Sequence, residues 1–255
     1  MPDSSAAAFD TDALAKIIYG LRTEKKAAPT ASFPLPPDLS TAAAAAAALA
    51  KLEGATGAAW KVATTPDKQP TAALMHPYEE DGTEVTMPYG PGMRFEVEIP
   101  VLLSRDLPPR AEPYSRQEII DAVEDAYLGA ELLFTAIEES GSISYPLYFA
   151  DRIGNGGFAR GPVVPKSLID EVGGRSLKVT QGDTVVYDGA ANHATGDVLA
   201  WLTGYANDPT RSPDVLVKGK LITTGALSGA MPLPGPGKVD VLLDGKYAMS
   251  VTLKP

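Results

Sequence analysis

The sequence predicts a β-rich α+β (mixed α/β) fold, with an N-terminal helical/α-β region over residues 1–88 and a larger strand-rich domain over 89–255. Three observations carry this expectation. Apolar stripes at helical spacing dominate the first 54 residues, whereas period-2 alternation recurs from about residue 90 onward. The chain also holds 24 glycines and 23 prolines, which call for many turns and suit a sheet-rich body better than a helical bundle.

Residues 10–24 read as a helix capped by Asp10 or Thr11, with Leu14, Ile17, Ile18 and Leu21 as its stripe. The Pro-punctuated segment "APTASFPLPPDLS" follows as an extended connector. Ser40 or Thr41 then caps "AAAAAAALAKLE", which Gly54 stops. Alanine has the best helix propensity and permits close approach, so this helix is expected against a sheet. "GAAWKVAT" reads as a short apolar strand with Lys61 inside it. "RFEVEIPVLL" is a strand entering the core. Ser115 and Glu118 form a capping box for a helix running through Tyr127 to a stop at Gly129, and Glu131 to Phe134 resume as strand. "SLKVTQGDTVVYDG" is a hairpin turning near Gln181-Gly182, residues 195–206 form a helix, and the C-terminal segment is a hairpin with a two-residue Asp244-Gly245 turn.

Composition removes several function classes. A net charge of −10 without a cluster of Lys and Arg gives nucleic acid or an anionic membrane no basic footprint. With no cysteine there is no disulfide, thiolate nucleophile, zinc–thiolate site or iron–sulfur cluster. His76 and His193 are the only histidines, too few for a His-rich metal site. "MPDSSAAAFDTDALAK" has no basic stretch leading into an apolar one, and the apolar run at Ala42–Leu49 is too short to span a bilayer. A cytoplasmic location is expected.

Chemistry concentrates at "RFEVEIPVLLSRDLP". Glu96 and Glu98 lie on one strand face about 7 Å apart by the strand rise. A solvated face is the ordinary explanation, yet the strand runs on into the apolar Val101-Leu102-Leu103. Two buried carboxylates repel unless they are protonated or share a cation, and a hard divalent ion such as Mg²⁺ takes oxygen ligands. Two ligands seldom suffice, and Glu131 in "GAELLF" is the candidate third acid.

"RFEVEIPVLLSRDLP", "GAELL" and "LITTGALSGAMPLPGPGKVDVLLDG" together resemble the 2-keto-4-pentenoate (2-hydroxypentadienoate) hydratases and 4-oxalocrotonate decarboxylases of the fumarylacetoacetate hydrolase superfamily. The resemblance runs from about residue 55 to the end and is fainter over the two N-terminal helices. It implies a rolled mixed sheet of the superfamily's C-terminal type beneath the small helical part. It also implies a Mg²⁺ or Mn²⁺ held by Glu96, Glu98 and Glu131, and a small 2-keto or 2-hydroxydienoic acid as substrate. Lys61 in "AWKVATT" matches the family's lysine as a proton carrier or carboxylate anchor, and Glu79 or Glu80 in "HPYEEDG" matches its acid. Thr224 and Gly225 match the closing loop that binds the substrate carboxylate. Homo-oligomers are common among the relatives.

Two segments depart from the family pattern. Thr135 and Ala136 stand where an Asp-Ser-Arg-type segment is usual, and "DRIGNGGFAR" replaces Asp-Asn-Ala-Ser, leaving Asp151 and Asn155 as approximate counterparts. The implied activity is hydration of a dienoate in aromatic-compound catabolism. Its rivals are decarboxylation of a 2-oxo diacid, hydrolysis of an acylpyruvate, and a non-catalytic binding relative.

Overall fold

A computed structural model of the chain describes residues 8–80, 84–138 and 143–255. Its helices are α1 (Thr11–Thr23), α2 (Leu39–Glu53), α3 (Arg116–Ile120), α4 (Tyr145–Ala150), α5 (Leu168–Glu171) and α6 (Ala200–Ala206). Its strands are β1 (Ala59–Thr64), β2 (Pro70–Leu74), β3 (Tyr78–Glu79), β4 (Glu84–Pro88), β5 (Arg94–Glu98), β6 (Val101–Leu103), β7 (Val123–Leu133), β8 (Asn155–Val164), β9 (Ser176–Gln181), β10 (Thr184–Ala190), β11 (Leu221–Thr223), β12 (Met231–Pro232), β13 (Gly237–Leu243) and β14 (Tyr247–Lys254).

The chain divides into two compact units, and the boundary expected at residue 88 moves. One unit joins Met1–Gly54 to Thr135–Gly154; the other comprises Ala55–Phe134 and Asn155–Pro255. Residues 55–88 contribute strands to the second unit.

In the helical unit, Asp10 caps α1 and accepts from the Ala13 N–H, as expected. Leu14, Ala15 and Ile18 are buried, whereas Ile17 turns outward. Asp38, rather than Ser40 or Thr41, caps α2 through the Thr41 N–H, and Gly54 ends it in the left-handed conformation. The alanine helix, expected against a sheet, packs on the helices α1 and α4. Its methyl side chains allow that approach, around a core of Leu14, Ile18, Phe33, Leu49, Ile137 and Leu147.

The β-rich unit holds a nine-stranded curled sheet and a five-stranded sheet, both mixed. Along the larger sheet the order is β12-β5-β7-β6-β11-β1-β2, with β8 on β7 and β3 on β8. The smaller runs β10-β9-β13-β14-β4. A large core, including Phe95, Val97, Ile99, Leu128, Leu132, Val179, Val241 and Val251, lies on one face of the larger sheet. Ala59, Met75, Tyr127, Phe158 and Leu221 form a smaller cluster on its other face.

Two expectations are corrected here. The capping box of Ser115 and Glu118 is present, but its helix ends at Ile120, and Val123–Leu133 is a single strand that carries Glu131. The C-terminal hairpin pairs Leu243 with Tyr247, so its loop is the three residues Asp244-Gly245-Lys246 rather than two. Asp244 and Gly245 both take positive φ there.

Candidate metal centre

Alternation along β5 settles the question posed by its two acids. Phe95 and Val97 enter the large core, so Glu96 and Glu98 share the opposite face. Antiparallel register sets Glu96 opposite Glu131 and Glu98 opposite Gly129 on β7. Glu98 and Glu131 are fully buried and Glu96 is half-buried. One carboxylate oxygen from each lies within 4.8 Å of the others. Phe158 covers this face because Gly129 has no side chain: a Cβ there would stand 2.6 Å from the Phe158 ring.

Lys61 reaches the same place from β1. Two strands, β11 and β6, separate β1 from β7. At about 4.8 Å per strand, a flat sheet would hold those backbones about 14 Å apart. The 2.9 Å contact between Lys61 Nζ and Glu131 Oε1 therefore depends on the curl of the sheet.

Each buried carboxylate is held by one oxygen and leaves the other open. Glu131 Oε1 accepts from Lys61 Nζ and, at 3.1 Å, from Asn155 Nδ2. Glu98 Oε2 accepts from the Thr224 and Gly225 N–H groups, both at 3.0 Å. Glu131 Oε2 and Glu98 Oε1 are buried with no hydrogen-bond donor. An unpartnered buried carboxylate oxygen is costly, and three acids with an oxygen each within 4.8 Å of the others offer a donor set that suits a hard divalent cation. Protons are the alternative occupants. Burial first, then the neighbouring carboxylates, pushes Glu98 up to about 8. Burial pushes Glu96 up to about 7, with Lys61 opposing and Glu131 adding to the rise.

The outer contacts explain why these side chains stay aimed. Asn155, left as an approximate counterpart by the sequence, is fixed by the His76 N–H on its Oδ1 and orients Glu131. His193 Nε2 donates to the Thr224 carbonyl at 2.9 Å. That carbonyl and the Gly225 N–H belong to one planar peptide, so the imidazole locks the donor that holds Glu98. Burial lowers the His193 pKa, consistent with a neutral ring. Gly225 has φ +108, and a Cβ there would lie 2.3 Å from Trp201, so glycine is required.

The remaining expected site residues have these surroundings. Thr224 Oγ1 donates to the Ile99 carbonyl, and its N–H and that of Gly225 donate to Glu98. Glu79 is exposed on β3, on the face opposite Tyr78, and Glu80 is exposed as well. Neither reaches the carboxylates, and Asp81 and Gly82 of the same segment lie outside the described residues. Asp151 pairs with Arg22 in the helical unit instead of contributing here.

Over nearly its whole length the chain superposes on 4-oxalocrotonate decarboxylase from Pseudomonas putida, solved with magnesium and adipate. The TM-score is 0.75 at 17% identity, covering 96% of this chain and 97% of that one. The chain has the fold of the fumarylacetoacetate hydrolase superfamily. A fumarylacetoacetate hydrolase family protein from Yersinia pestis matches with TM-score 0.51 at 13% identity, over 77% of this chain and 91% of the other. Maleylpyruvate hydrolase from Sphingobium matches with TM-score 0.50 at 14% identity, over 76% and 70%. No family profile matches the sequence, and no curated protein matches it. The superfamily fold thus spans decarboxylation and hydrolysis among these neighbours.

Proposed function

We propose that the chain is a divalent-metal-dependent lyase that hydrates a small 2-hydroxydienoate or 2-keto-alkenoate, with Glu96, Glu98 and Glu131 holding Mg²⁺ or Mn²⁺. The observation that carries this reading is the pair of buried, donor-free oxygens on Glu98 and Glu131, each on a carboxylate pinned by its other oxygen. The bound cation would act as a Lewis acid toward a chelating 2-oxo acid. Lys61 sets an ammonium beside Glu131, placed to hold a substrate carboxylate or carry a proton. Phe158, Tyr127 and Met75 wall the face with apolar surface that keeps water from the buried carboxylates. Hydrolysis is the weaker reading, because the His193 ring is engaged by Thr224 and Thr195 and is not free to activate water.

Decarboxylation of a 4-oxalocrotonate-type diacid is the second reading, favoured by the full-length likeness to the decarboxylase. Incubation with Mg²⁺ and either 2-hydroxypenta-2,4-dienoate or 4-oxalocrotonate separates the two. The hydratase gives a 4-hydroxy-2-keto acid without CO₂. Evolution of CO₂ from the diacid establishes the second reading, and no turnover of either sinks both in favour of a non-catalytic binding protein. A free small acid as substrate, a cytoplasmic setting and assembly with further copies of the chain belong to the same proposal. Among the described residues no helix is long and apolar enough to cross a membrane.

A further inference from the structure

The hydroxyl on the site face of β11 belongs to Thr223, one residue before the one the sequence singled out. Parallel register pairs Lys61 with Thr223, and Ala59 with Leu221. Leu221 and Ala59 pack in the cluster under the carboxylates, whereas Ile222 enters the large core. Period-2 alternation therefore turns Thr223 toward the same face as Lys61. β11 also lies between β1 and β7, beneath the path Lys61 takes to Glu131. Beyond it the chain continues directly into the two amides that hold Glu98.

Thr223 is fully buried, and its Oγ1 has no hydrogen-bond partner. A buried hydroxyl without a partner is destabilising, and valine would fill the same strand position without that cost. Thr224 on the next position differs, since its hydroxyl is satisfied by the Ile99 carbonyl. The free donor stands on the floor between the residue that anchors Glu131 and the peptide that anchors Glu98.

We propose that Thr223 is a ligand-binding residue whose hydroxyl donates to a carboxylate oxygen of the 2-oxo acid, alongside the Lys61 ammonium. This rests on the metal-dependent reading above. The test uses oxalate as a planar dicarboxylate probe, titrated calorimetrically into protein saturated with Mg²⁺, with Mg²⁺ alone titrated in parallel. Thr223→Val is expected to weaken oxalate about tenfold, as for loss of one hydrogen bond to a charged group. It should leave Mg²⁺ affinity within twofold and raise the ligand-free Tm by a few degrees. Thr223→Ser should restore oxalate binding. Unchanged oxalate affinity in Thr223→Val overturns the proposal alone, as does an equal loss of Mg²⁺ affinity, which would make Thr223 part of the metal seat. Wild type that binds Mg²⁺ but not oxalate overturns this proposal together with the 2-oxo acid reading.

Discussion

Each of the two units buries a cluster of charges, and the two clusters are built on opposite rules. In the helical unit, Arg22 pairs with Glu53 and Asp151, and Arg152 pairs with Glu53. Two cations meet two carboxylates. Asp151 also accepts from Thr135 Oγ1 and the Ala136 N–H, both at 2.7 Å, so Arg22 and these two give it three donors. In the β-rich unit, three carboxylates meet one lysine, and two oxygens are left bare. Charge separates them: the first set balances two guanidinium groups against two carboxylates, and the second sets Lys61 against three carboxylates. The balanced set is a structural tie, and the unbalanced one is the arrangement on which the proposed cation seat rests.

The most severe way to break the contrast is Asp151→Ala. It removes one of the two carboxylates that Arg22 pairs with and takes the acceptor from the Thr135 hydroxyl and the Ala136 N–H, and should cost about 3–5 kcal/mol of stability, as for loss of one partner from a buried pair. Mg²⁺ affinity should stay within a few-fold. Denaturant unfolding and calorimetric Mg²⁺ titration on the same preparation check both halves. If Asp151→Ala abolished Mg²⁺ binding while stability held, the division of roles would be wrong.

Glu98→Gln is the reciprocal experiment. Mg²⁺ affinity should fall about a hundredfold, or roughly 2.8 kcal/mol at about 1.4 kcal/mol per tenfold. The metal-free protein at pH 8 should be no less stable than wild type, because a repelling carboxylate has gone. A loss of metal-free stability comparable to that of Asp151→Ala would show Glu98 to be a structural tie as well.

A gentler probe is pH. Without metal, Glu96 and Glu98 hold their protons in the folded state to about 7 and about 8, against 4.5 for the unfolded groups. The folded chain then binds more protons than the unfolded one between those values. Stability is fully present below about 4.5 and is lost as pH rises through 7 to 8. Metal binding runs the other way, since it needs these carboxylates deprotonated. Raising pH from 6 to 8 should tighten Mg²⁺ by up to about tenfold per unit for each proton released, measurable by titration in buffers of different ionisation enthalpy. The metal-free Tm should fall over the same range, and by less in Glu98→Gln. A pH-independent Mg²⁺ affinity would mean the carboxylates are already ionised.

What could be read from the sequence follows from which physical signals are local. That Glu96 and Glu98 share a face was legible because a strand alternates faces, whereas Lys61 was singled out by the family resemblance, its strand setting alone being equally that of a snorkelling side chain. β7 was misread at its start because Ala126, Leu128, Ala130 and Leu132 are buried on one face and Tyr127 and Glu131 on the other. A strand covered on both faces loses its alternation and resembles a helix segment. Which of Thr223 and Thr224 shares the face of Lys61 was not legible either: one residue changes the face, and only pairing with β1 shows which is which. Asn155 and His193 act through contacts across many positions, which no local pattern encodes. The alanine helix was legible as a helix, but alanine packs as closely on other helices as on a sheet, so its neighbours were not.

The way Glu98 is held has a consequence in time. Its anchors lie 126 and 127 positions further along the chain, and the link between Lys61 and Glu131 spans 70. Contacts between segments so distant in sequence form late, after the intervening loops have been closed. A chain emerging from the ribosome therefore has its three acids long before it has the scaffold that aims them. Metal capture should be among the last events of maturation, and a fragment ending before residue 224 should carry the acids without the seat.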